Sequence, residues 1–420
     1  MDERLQGIVD AAQVKFGLDA YELERHSIYK RRDTKGEAYY VVNMEWFPKE
    51  LNEAVEEDMN PEGTACLEYN IQEQCFDSII FTQGQSFSTA APFVEKTPEE
   101  AATWIEKQTR LTYGIDFKLT QANDDGFHFE MDIERVRMSP GFMMAVKFDD
   151  MGKLTSYSRY GTVPRQEDIE KSVFTLTLEE IEPIVKQQLQ LVKFPSELEN
   201  RFVPAYAMEE VFVTVDGQRV IPFFEHERTI VKVDEVLEWD HPLSQTFKRE
   251  ELTFVSESTV EEAFGHVGAG DRLQLTEDQI ERSKEVVRDV LRSEHPDESG
   301  KWQLAELRRQ ENFIEAHCRF ITENSAVFNR KVVVFIKPDN MSVLNFVDNG
   351  AMMEIFDTFA PAEQAVVTHD EAFENMIPYI TLDPTYVYDE LTGKYILCGL
   401  LDAAEAVDAV TGEVISLSDL

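Results

Sequence analysis

The sequence has few cysteines, and it has no long hydrophobic run. Cys66, Cys75, Cys318 and Cys398 are the only cysteines in 420 residues, too few and too scattered for a disulfide scaffold. Cys66 and Cys75 could face each other on neighbouring strands; the alternative is that all four are free, buried thiols. No apolar run reaches the roughly 18 residues of a transmembrane helix, so no membrane insertion is expected.

Basic residues are also scarce. The chain has 40 lysines and arginines against 81 acidic residues, a net charge of −41. Such a field repels nucleic-acid phosphates and anionic membrane surfaces, which argues against a nucleic-acid partner. Solubility explains the charge without a specific role; the alternatives are a surface for a basic partner or a mimic of nucleic acid.

The first residues, MDERLQGIVDAAQVKFG, have no basic region and no long apolar core. This pattern is not that of a signal peptide; it predicts an amphipathic helix from about Asp2 to Phe16. We therefore expect a cytoplasmic protein, with an exported or cell-envelope protein as the alternative if a leader was removed.

Local signatures of catalysis and metal binding are missing from the sequence. It contains no H-E-x-x-H, C-x-x-C or G-x-S-x-G motif, which are the patterns of zinc sites and nucleophile elbows. His317 and Cys318 are adjacent, but neighbours on a strand point to opposite faces. Asn123 to Gly126 resembles part of a calcium loop, yet Gln121 stands where a carboxylate is needed, so a hairpin turn is preferred. No catalytic, cofactor-binding or metal-binding residue is predicted.

Hairpin patterns recur along the chain. The segment from Lys394 to Ile415 has an apolar strand, a second short strand and a Thr411-Gly412 reversal before a last strand. Alternating apolar residues on both sides of a polar turn indicate half-buried strands. The other segments with this pattern are Leu67–Ile80, Val146–Leu154, Val211–Val220 and Val332–Leu344.

Helix starts are marked by threonine followed three residues later by glutamate or glutamine. This pair can cap two backbone amides reciprocally, and an apolar periodic run follows each of four examples. They are Thr97/Glu100, Thr177/Glu180, Thr276/Gln279 and Thr368/Glu371. A fifth pair, Ser258/Glu261, predicts a short helix.

The order of these signals predicts an α+β fold of tandem units, each a helix packed on an antiparallel β-meander. One unit occupies residues 1–92, with strands near 37–46, 65–71 and 77–81. A long unit followed by a short one occupies residues 93–240, and the same order recurs over 275–420. Residues 241–274 are expected to connect the pairs, and the acidic stretch 48–63 is expected to be a surface loop.

Aromatic residues and two basic clusters remain to be placed. Lys30-Arg31-Arg32 and Arg308-Arg309 fit a turn entry and a strand edge better than a nucleic-acid contact. The aromatic residues on predicted strands fit core packing and cross-strand pairs; the alternative is an exposed sheet face that binds protein. These residues are Tyr39, Tyr40, Trp46, Phe47, Phe223, Phe224, Tyr386, Tyr388 and Tyr395.

The segment from Val407 to Val414, VDAVTGEV, follows a strand and the helix predicted from Thr368. This arrangement resembles the closing segment of PepSY-like domains, and the tandem order resembles the YcdB/YcdC repeat proteins of Bacillus-type bacteria. The resemblance is clearest over about residues 276–415; Val215 to Val220 keeps the turn but not the Thr-Gly-Glu. It implies PepSY/cystatin-like units without catalytic residues, related to protease propeptides, inhibitors and envelope regulators.

The expected function is that of a non-enzymatic binding or regulatory protein. Its partner would be a protein, engaged through sheet edges or faces; the resemblance offers a peptidase as one candidate. One alternative is a hydrolase with a site in a cleft between the two pairs of units, near His241 and His266. A second alternative is a structural or self-assembling protein.

Overall fold

The computed structural model describes residues 1–33, 35–50, 60–223, 230–265, 273–322 and 328–419. It is a mixed α+β structure with four mostly antiparallel sheets. The chain forms two compact units. Unit 1 comprises Met1–Glu170, Val255–Arg272 and Tyr386–Tyr395, and unit 2 comprises Lys171–Phe254, Leu273–Thr385 and Ile396–Leu420.

The described residues contain seven α-helices and twenty-three strands. The helices are α1 Glu3–Phe16, α2 Pro98–Thr109, α3 Glu182–Gln188, α4 Val260–Gly265, α5 Glu277–Glu294, α6 Gly350–Met353 and α7 His369–Met376. The strands of unit 1 and the first strands of unit 2 are β1 Tyr21–Arg32, β2 Ala38–Pro48, β3 Ala65–Asn70, β4 Cys75–Phe81, β5 Phe117–Asn123, β6 Gly126–Met131, β7 Arg137–Ser139, β8 Met143–Phe148, β9 Leu154–Tyr160, β10 Leu189–Ser196, β11 Arg201–Met208, β12 Val211–Thr214 and β13 Val220–Pro222. The remaining strands are β14 Ile230–Leu237, β15 Ser256–Glu257, β16 Trp302–Arg309, β17 Ile314–Phe320, β18 Lys331–Ile336, β19 Val343–Asp348, β20 Thr381–Asp389, β21 Lys394–Asp402, β22 Glu405–Asp408 and β23 Val414–Ser416.

The helix starts follow the capping chemistry. Thr276 and Thr368 both form complete capping boxes, at the first turns of α5 and α7. Thr97 caps α2, but the Glu100 carboxylate accepts from the amides before it instead of closing the box. Thr177 and Glu180 bond to each other, yet the α-helix begins only at Glu182.

The predicted cap at Ser258 is wrong by one residue. The threonine that follows it, Thr259, exchanges hydrogen bonds with Glu262 and precedes α4. The Ser258 amide is engaged elsewhere, because it donates to the carbonyl oxygen of Ile28 at 2.8 Å. The backbone of Ser258 therefore continues the edge pairing of β15 with β1, and the helix starts after it.

Helix α1 confirms the helix predicted for residues 2–16. The carboxylate that caps it gives a testable dependence of stability on pH. The Asp2 carboxylate accepts from the Arg4 side chain at 3.0 Å and from the Arg4 amide at 2.9 Å. These two hydrogen bonds, the side-chain one first, lower the pKa of Asp2 from 3.8 to about 2. A depressed carboxyl pKa contributes stability that is present above pH 3.8 and is lost as pH falls through about 2.

We expect the Asp2 carboxyl carbon resonance to titrate near pH 2 in the folded protein. In the variant Arg4→Met the midpoint should rise toward 3.8, because the largest contribution to the shift is removed. A midpoint near 3.8 in the unmodified chain would show that the cap does not form.

Unit 1 is built on one nine-stranded sheet. Its strand order is β15-β1-β2-β3-β4-β9-β8-β6-β5, so two antiparallel meanders meet where β4 pairs with β9. Strand β1 was not predicted, because YELERHSIYKRR is dominated by charged residues and has little apolar alternation. The Lys30-Arg31-Arg32 cluster, expected at a turn entry, forms the end of this strand.

Three further sheets include strands of unit 2. In the first, β14-β16-β17-β18-β19, helix α5 buries Val287, Val290 and Leu291 in a core with Trp302 and Leu304. The second has the order β10-β11-β22-β23. In the third, β12 pairs with β13 on one side and with β21 on the other.

The second and third of these sheets each pair distant segments of the chain. Strand β11 pairs with β22, through Tyr206 and Val407, while β12 pairs with β21, through Val213 and Gly399. One core lies between them and receives Val185 of α3 and Phe373 of α7. Neither segment completes a sheet alone.

All five predicted hairpins are present. Strands β3–β4, β8–β9, β12–β13, β18–β19 and β22–β23 form them. Gly217 and Gly412 adopt φ angles of 67° and 78° in the turns of two of these hairpins, a conformation that glycine enters without steric cost. In the last hairpin the Asp408 carboxylate also accepts from the amides of Val410 and Thr411, each at 2.8 Å.

Candidate functional site

One side of the unit 1 sheet is buried across six neighbouring strands, β2 to β6 in the sheet order. Six residues in register across six strands are no more than 5% exposed, and they form part of the core of unit 1. They are Met44, Leu67, Ile79, Tyr157, Val146 and Phe127. Trp104 of α2 packs edge-on against Tyr157, with ring centroids 5.0 Å apart, so helix α2 lies on this side.

Because side chains alternate along a strand, the residues beside this row point to the opposite side of the sheet. Two rows of eight residues run there in continuous register from β1 to β5. The first row is Ser27, Asn43, Glu68, Ser78, Ser158, Ala145, His128 and Gln121. The second row is Arg25, Glu45, Cys66, Ile80, Ser156, Lys147, Gly126 and Asn123. We call these sixteen residues the open face.

The open face is accessible across its whole width. Every residue of both rows is partly or fully exposed except Gly126. At about 4.8 Å between neighbouring strands, eight strands span about 34 Å. That width matches one side of an ordinary protein–protein interface and exceeds what a small ligand needs.

The open face is electrically balanced although the chain is strongly acidic. Its two rows contain two basic residues, Arg25 and Lys147, and two acidic residues, Glu45 and Glu68. Arg25 Nε lies 2.8 Å from Glu45 Oε2, and Arg31 Nη1 donates to Glu68 Oε2 at 3.0 Å. Charges that are already paired resist approach by another protein less than isolated carboxylates do.

Three large apolar side chains on the same side of the sheet are exposed to solvent. Ile80, Met143 and Tyr160 are 48%, 47% and 69% exposed. Met143 and Tyr160 are cross-strand partners, one alternation beyond Ala145 and Ser158. Exposed apolar side chains among small polar residues are the composition of protein-binding surfaces.

Tyr39 lies near the start of β2 on the same side of the sheet, beyond the buried Val41, and is one of the aromatic residues singled out from the sequence. It pairs with Arg31 of β1. Burial raises its pKa to about 12, so the phenol is neutral at physiological pH. It can offer a hydrogen bond and a ring face, and it does not serve as a base.

A second polar cluster lies in unit 2 around Trp302. Arg330 donates to Glu298 Oε1 at 2.9 Å, to His295 Nδ1 at 3.2 Å and to Asp348 Oδ2 at 3.4 Å. His295 Nε2 lies 3.1 Å from Asp348 Oδ2. Because Arg330 occupies Nδ1, the imidazole proton belongs on Nε2, where it donates to Asp348.

The Trp302 indole contacts three of the four polar side chains of this cluster. Its indole N–H donates to Glu298 Oε2 at 2.9 Å, the His295 ring stacks on it at 5.3 Å, and the Arg330 guanidinium lies 5.2 Å above it. The four polar side chains are directed at one another, which ties the end of α5 to β18 and β19. The cluster therefore has a structural explanation.

Of the two residues named for the hydrolase alternative, the structure describes one. His241 is exposed in a segment without regular structure. His266, like Gly268 and Gly270, lies outside the described residues. Residues 51–59 of the predicted acidic loop and Phe224 also lie outside them.

Cys66 and Cys75 do not face each other, so the alternative in which they lie opposite each other on neighbouring strands is wrong. Cys66 lies opposite Ile80 and Cys75 opposite Asn70, at different positions along the β3–β4 ladder, and none of the four cysteines forms a disulfide. Burial raises the pKa of the Cys66 thiol, and it raises that of Cys75 to about 12. Neither is an activated nucleophile.

His317 and Cys318 point to opposite faces of β17, as predicted. Cys318 is buried, while His317 Nε2 lies 3.1 Å from Glu315 Oε2. Most of the singled-out aromatic residues belong to the core: Tyr40, Trp46, Tyr386, Tyr388 and Tyr395 are all buried. Phe223 stacks on Phe212.

Within the part of the chain that the structure describes, no group of three or more His, Cys, Asp or Glu side chains is arranged to hold a metal ion. None of the helices there combines the length and apolar composition of a membrane crossing.

No protein-family model matches the chain, and no curated protein matches it. The resemblance to PepSY-like domains thus stays a prediction from the residues that carry it.

Proposed function

We propose that this chain is a non-catalytic binding protein that engages a protein partner through the open face of unit 1. The observation that carries the proposal is the in-register surface of two eight-residue rows, free of net charge in a chain of net charge −41. Its side chains are mostly short, so little conformational entropy is lost when a partner covers them. The resemblance of the last hairpin to PepSY-like domains agrees with a binding role.

We further propose that the chain contains five copies of a helix-plus-sheet module, the tandem arrangement predicted from its sequence. Helices α1, α2 and α5 are each followed by a four-stranded antiparallel meander: β1-β2-β3-β4, β5-β6-β8-β9 and β16-β17-β18-β19. Helices α3 and α7 are each followed by two hairpins. Duplication of one module explains why the first two meanders join through their equivalent last strands, β4 and β9.

The two short modules are proposed to have exchanged their second hairpins. The β12–β13 hairpin of the first short module is hydrogen-bonded to β21 of the second. The β22–β23 hairpin of the second short module is hydrogen-bonded to β11 of the first. Such an exchange pairs the edge of β11 in the first module and the edge of β21 in the second, where an unpaired strand would invite aggregation.

The binding proposal predicts that a bulky charge in the middle of the open face abolishes capture of the partner. Ser158 is exposed and lies in the middle of the first row. We expect immobilised Ser158→Arg to recover the partner at least ten-fold less than the unmodified chain does, measured by quantitative mass spectrometry of proteins captured from lysate. The added side chain prevents close approach without affecting the core.

The matched control is Ala11→Arg. Ala11 is an exposed position of α1, so this variant adds the same charge and volume away from the open face. It should capture the partner as the unmodified chain does. Equal capture of every protein by all three baits, or no specific capture at micromolar bait, would refute the use of this face. The self-assembly alternative predicts instead a large, concentration-dependent mass in light scattering.

A further inference from the structure

The first strands of the three meanders differ in what covers their outer edge. Strand β15 pairs with β1, through Tyr29 and Glu257, and β14 pairs with β16 along most of its length. In both cases an extended segment that is not part of the meander adds one more strand to it. Segments of this same chain thus cover most of the edge of β16 and the part of the β1 edge around Tyr29 and Lys30.

Strand β5 is the first strand of the remaining meander, and it ends the nine-stranded sheet. No strand among the described residues pairs with its outer edge. Lys118 and the run from Thr120 to Asn123 are exposed. An exposed edge strand presents backbone amides and carbonyls that accept another strand.

The turn after β5 fixes which backbone groups point outward. Asn123 pairs with Gly126 around a two-residue loop, so the peptide groups of Asn123 face β6 and those of Ala122 face away. A bulge lies between Leu119 and Gln121, and the Thr120 hydroxyl donates to the His128 carbonyl at 3.2 Å. Regular pairing is therefore available mainly around Ala122.

The surroundings of this edge are acidic. Between residues 116 and 134 there is one lysine, Lys118, and it pairs with Asp132. The same stretch has six carboxylates, of which Asp125 lies 3.2 Å from Lys147 Nζ. They are Asp116, Asp124, Asp125, Glu130, Asp132 and Glu134. An incoming strand with basic side chains is attracted, and an acidic strand is repelled.

We propose that β5 accepts an extended lysine- or arginine-rich segment of a partner protein as the tenth strand of the unit 1 sheet. Backbone hydrogen bonds to Ala122 would hold the segment, and the surrounding carboxylates would select its charge. This inference goes beyond the proposed function, because it uses the edge of the sheet and not the open face. Each can fail without the other.

The probe is a synthetic eight-residue peptide of alternating lysine and valine, titrated into the full chain and followed by amide chemical shifts. We expect shifts centred on β5 and a dissociation constant at least ten-fold lower than for the same peptide with glutamate in place of lysine. Shifts spread over the acidic surface without a maximum at β5, or equal binding of both peptides, would overturn the proposal.

Variants at Ala122 separate strand addition from general attraction to an acidic protein. Ala122→Pro removes the outward N–H, and Ala122→Lys places a like charge at the edge; each should weaken binding of the lysine peptide ten-fold or more. Ala122→Val keeps the N–H and should bind as the unmodified chain does. Unchanged binding by the lysine variant refutes the proposal even if the proline variant fails to fold, and Ser158→Arg should leave this binding intact.

Discussion

Replacing Val407 by aspartate is expected to unfold the two proposed short modules together. Val407 is fully buried, and on β22 it lies between Tyr206 of β11 and Val414 of β23. An uncompensated charge in such a place costs about 3–5 kcal/mol of folding free energy. Because β11 and β22 share a sheet, the amides of both strands should lose hydrogen-exchange protection at the same time.

The control for this prediction is Val366→Asp. Val366 is 72% exposed, and its amide donates to the Ala409 carbonyl at 2.8 Å, a bond that the substitution keeps. Its free energy of unfolding should change by less than about 0.5 kcal/mol. If Val407→Asp releases only the amides of β22 and β23 while β11 stays protected, the two modules do not depend on each other for folding.

Replacing Trp302 by alanine is expected to destabilise the α5 meander by about 3–5 kcal/mol in urea denaturation. The indole is completely buried, so its removal leaves a cavity under His295 and Arg330. The Glu298 carboxylate also loses its hydrogen bond from the indole N–H. Both losses fall on the contacts that join the end of α5 to the sheet.

Trp302→Phe separates the two contributions. It keeps most of the ring volume and removes the N–H, so the expected loss is about 1–3 kcal/mol, the cost of a buried polar group left unpaired. Comparable midpoints for the alanine and phenylalanine variants would mean that ring volume is unimportant, and the cluster would then be held mainly by its ionic contacts.

Local features of the fold were readable in the sequence because they depend on neighbouring residues. Thr276 and Thr368 cap helices through groups only three residues away, and Gly217 and Gly412 permit turns through their own φ angles. Where the local pattern was ambiguous, the prediction was wrong: Ser258 and Thr259 are adjacent, and the pairing of Ser258 with Ile28 decided between them.

Strand β1 is an element that local sequence patterns could not predict. Its side chains Arg25, Ser27 and Arg31 are polar because they lie on the open face or at a sheet edge, and nothing in their own segment requires them to be extended. Pairing with β2, and with β15 from far along the chain, holds them in a strand. The open face was missed for the same reason, since no residue in it forms a motif with its sequence neighbours.

The sequence by itself determined the α+β class, the helix starts at Asp2, Thr97, Thr276 and Thr368, and the five hairpins, because hydrogen bonds and torsion angles within a few residues specify them. Only the tertiary structure decided which sheets those hairpins join. Pairing of β4 with β9 aligned the two rows of the open face, and pairing of β11 with β22 linked the short modules. These contacts join strands separated by long stretches of chain, and their register depends on packing that no single segment encodes.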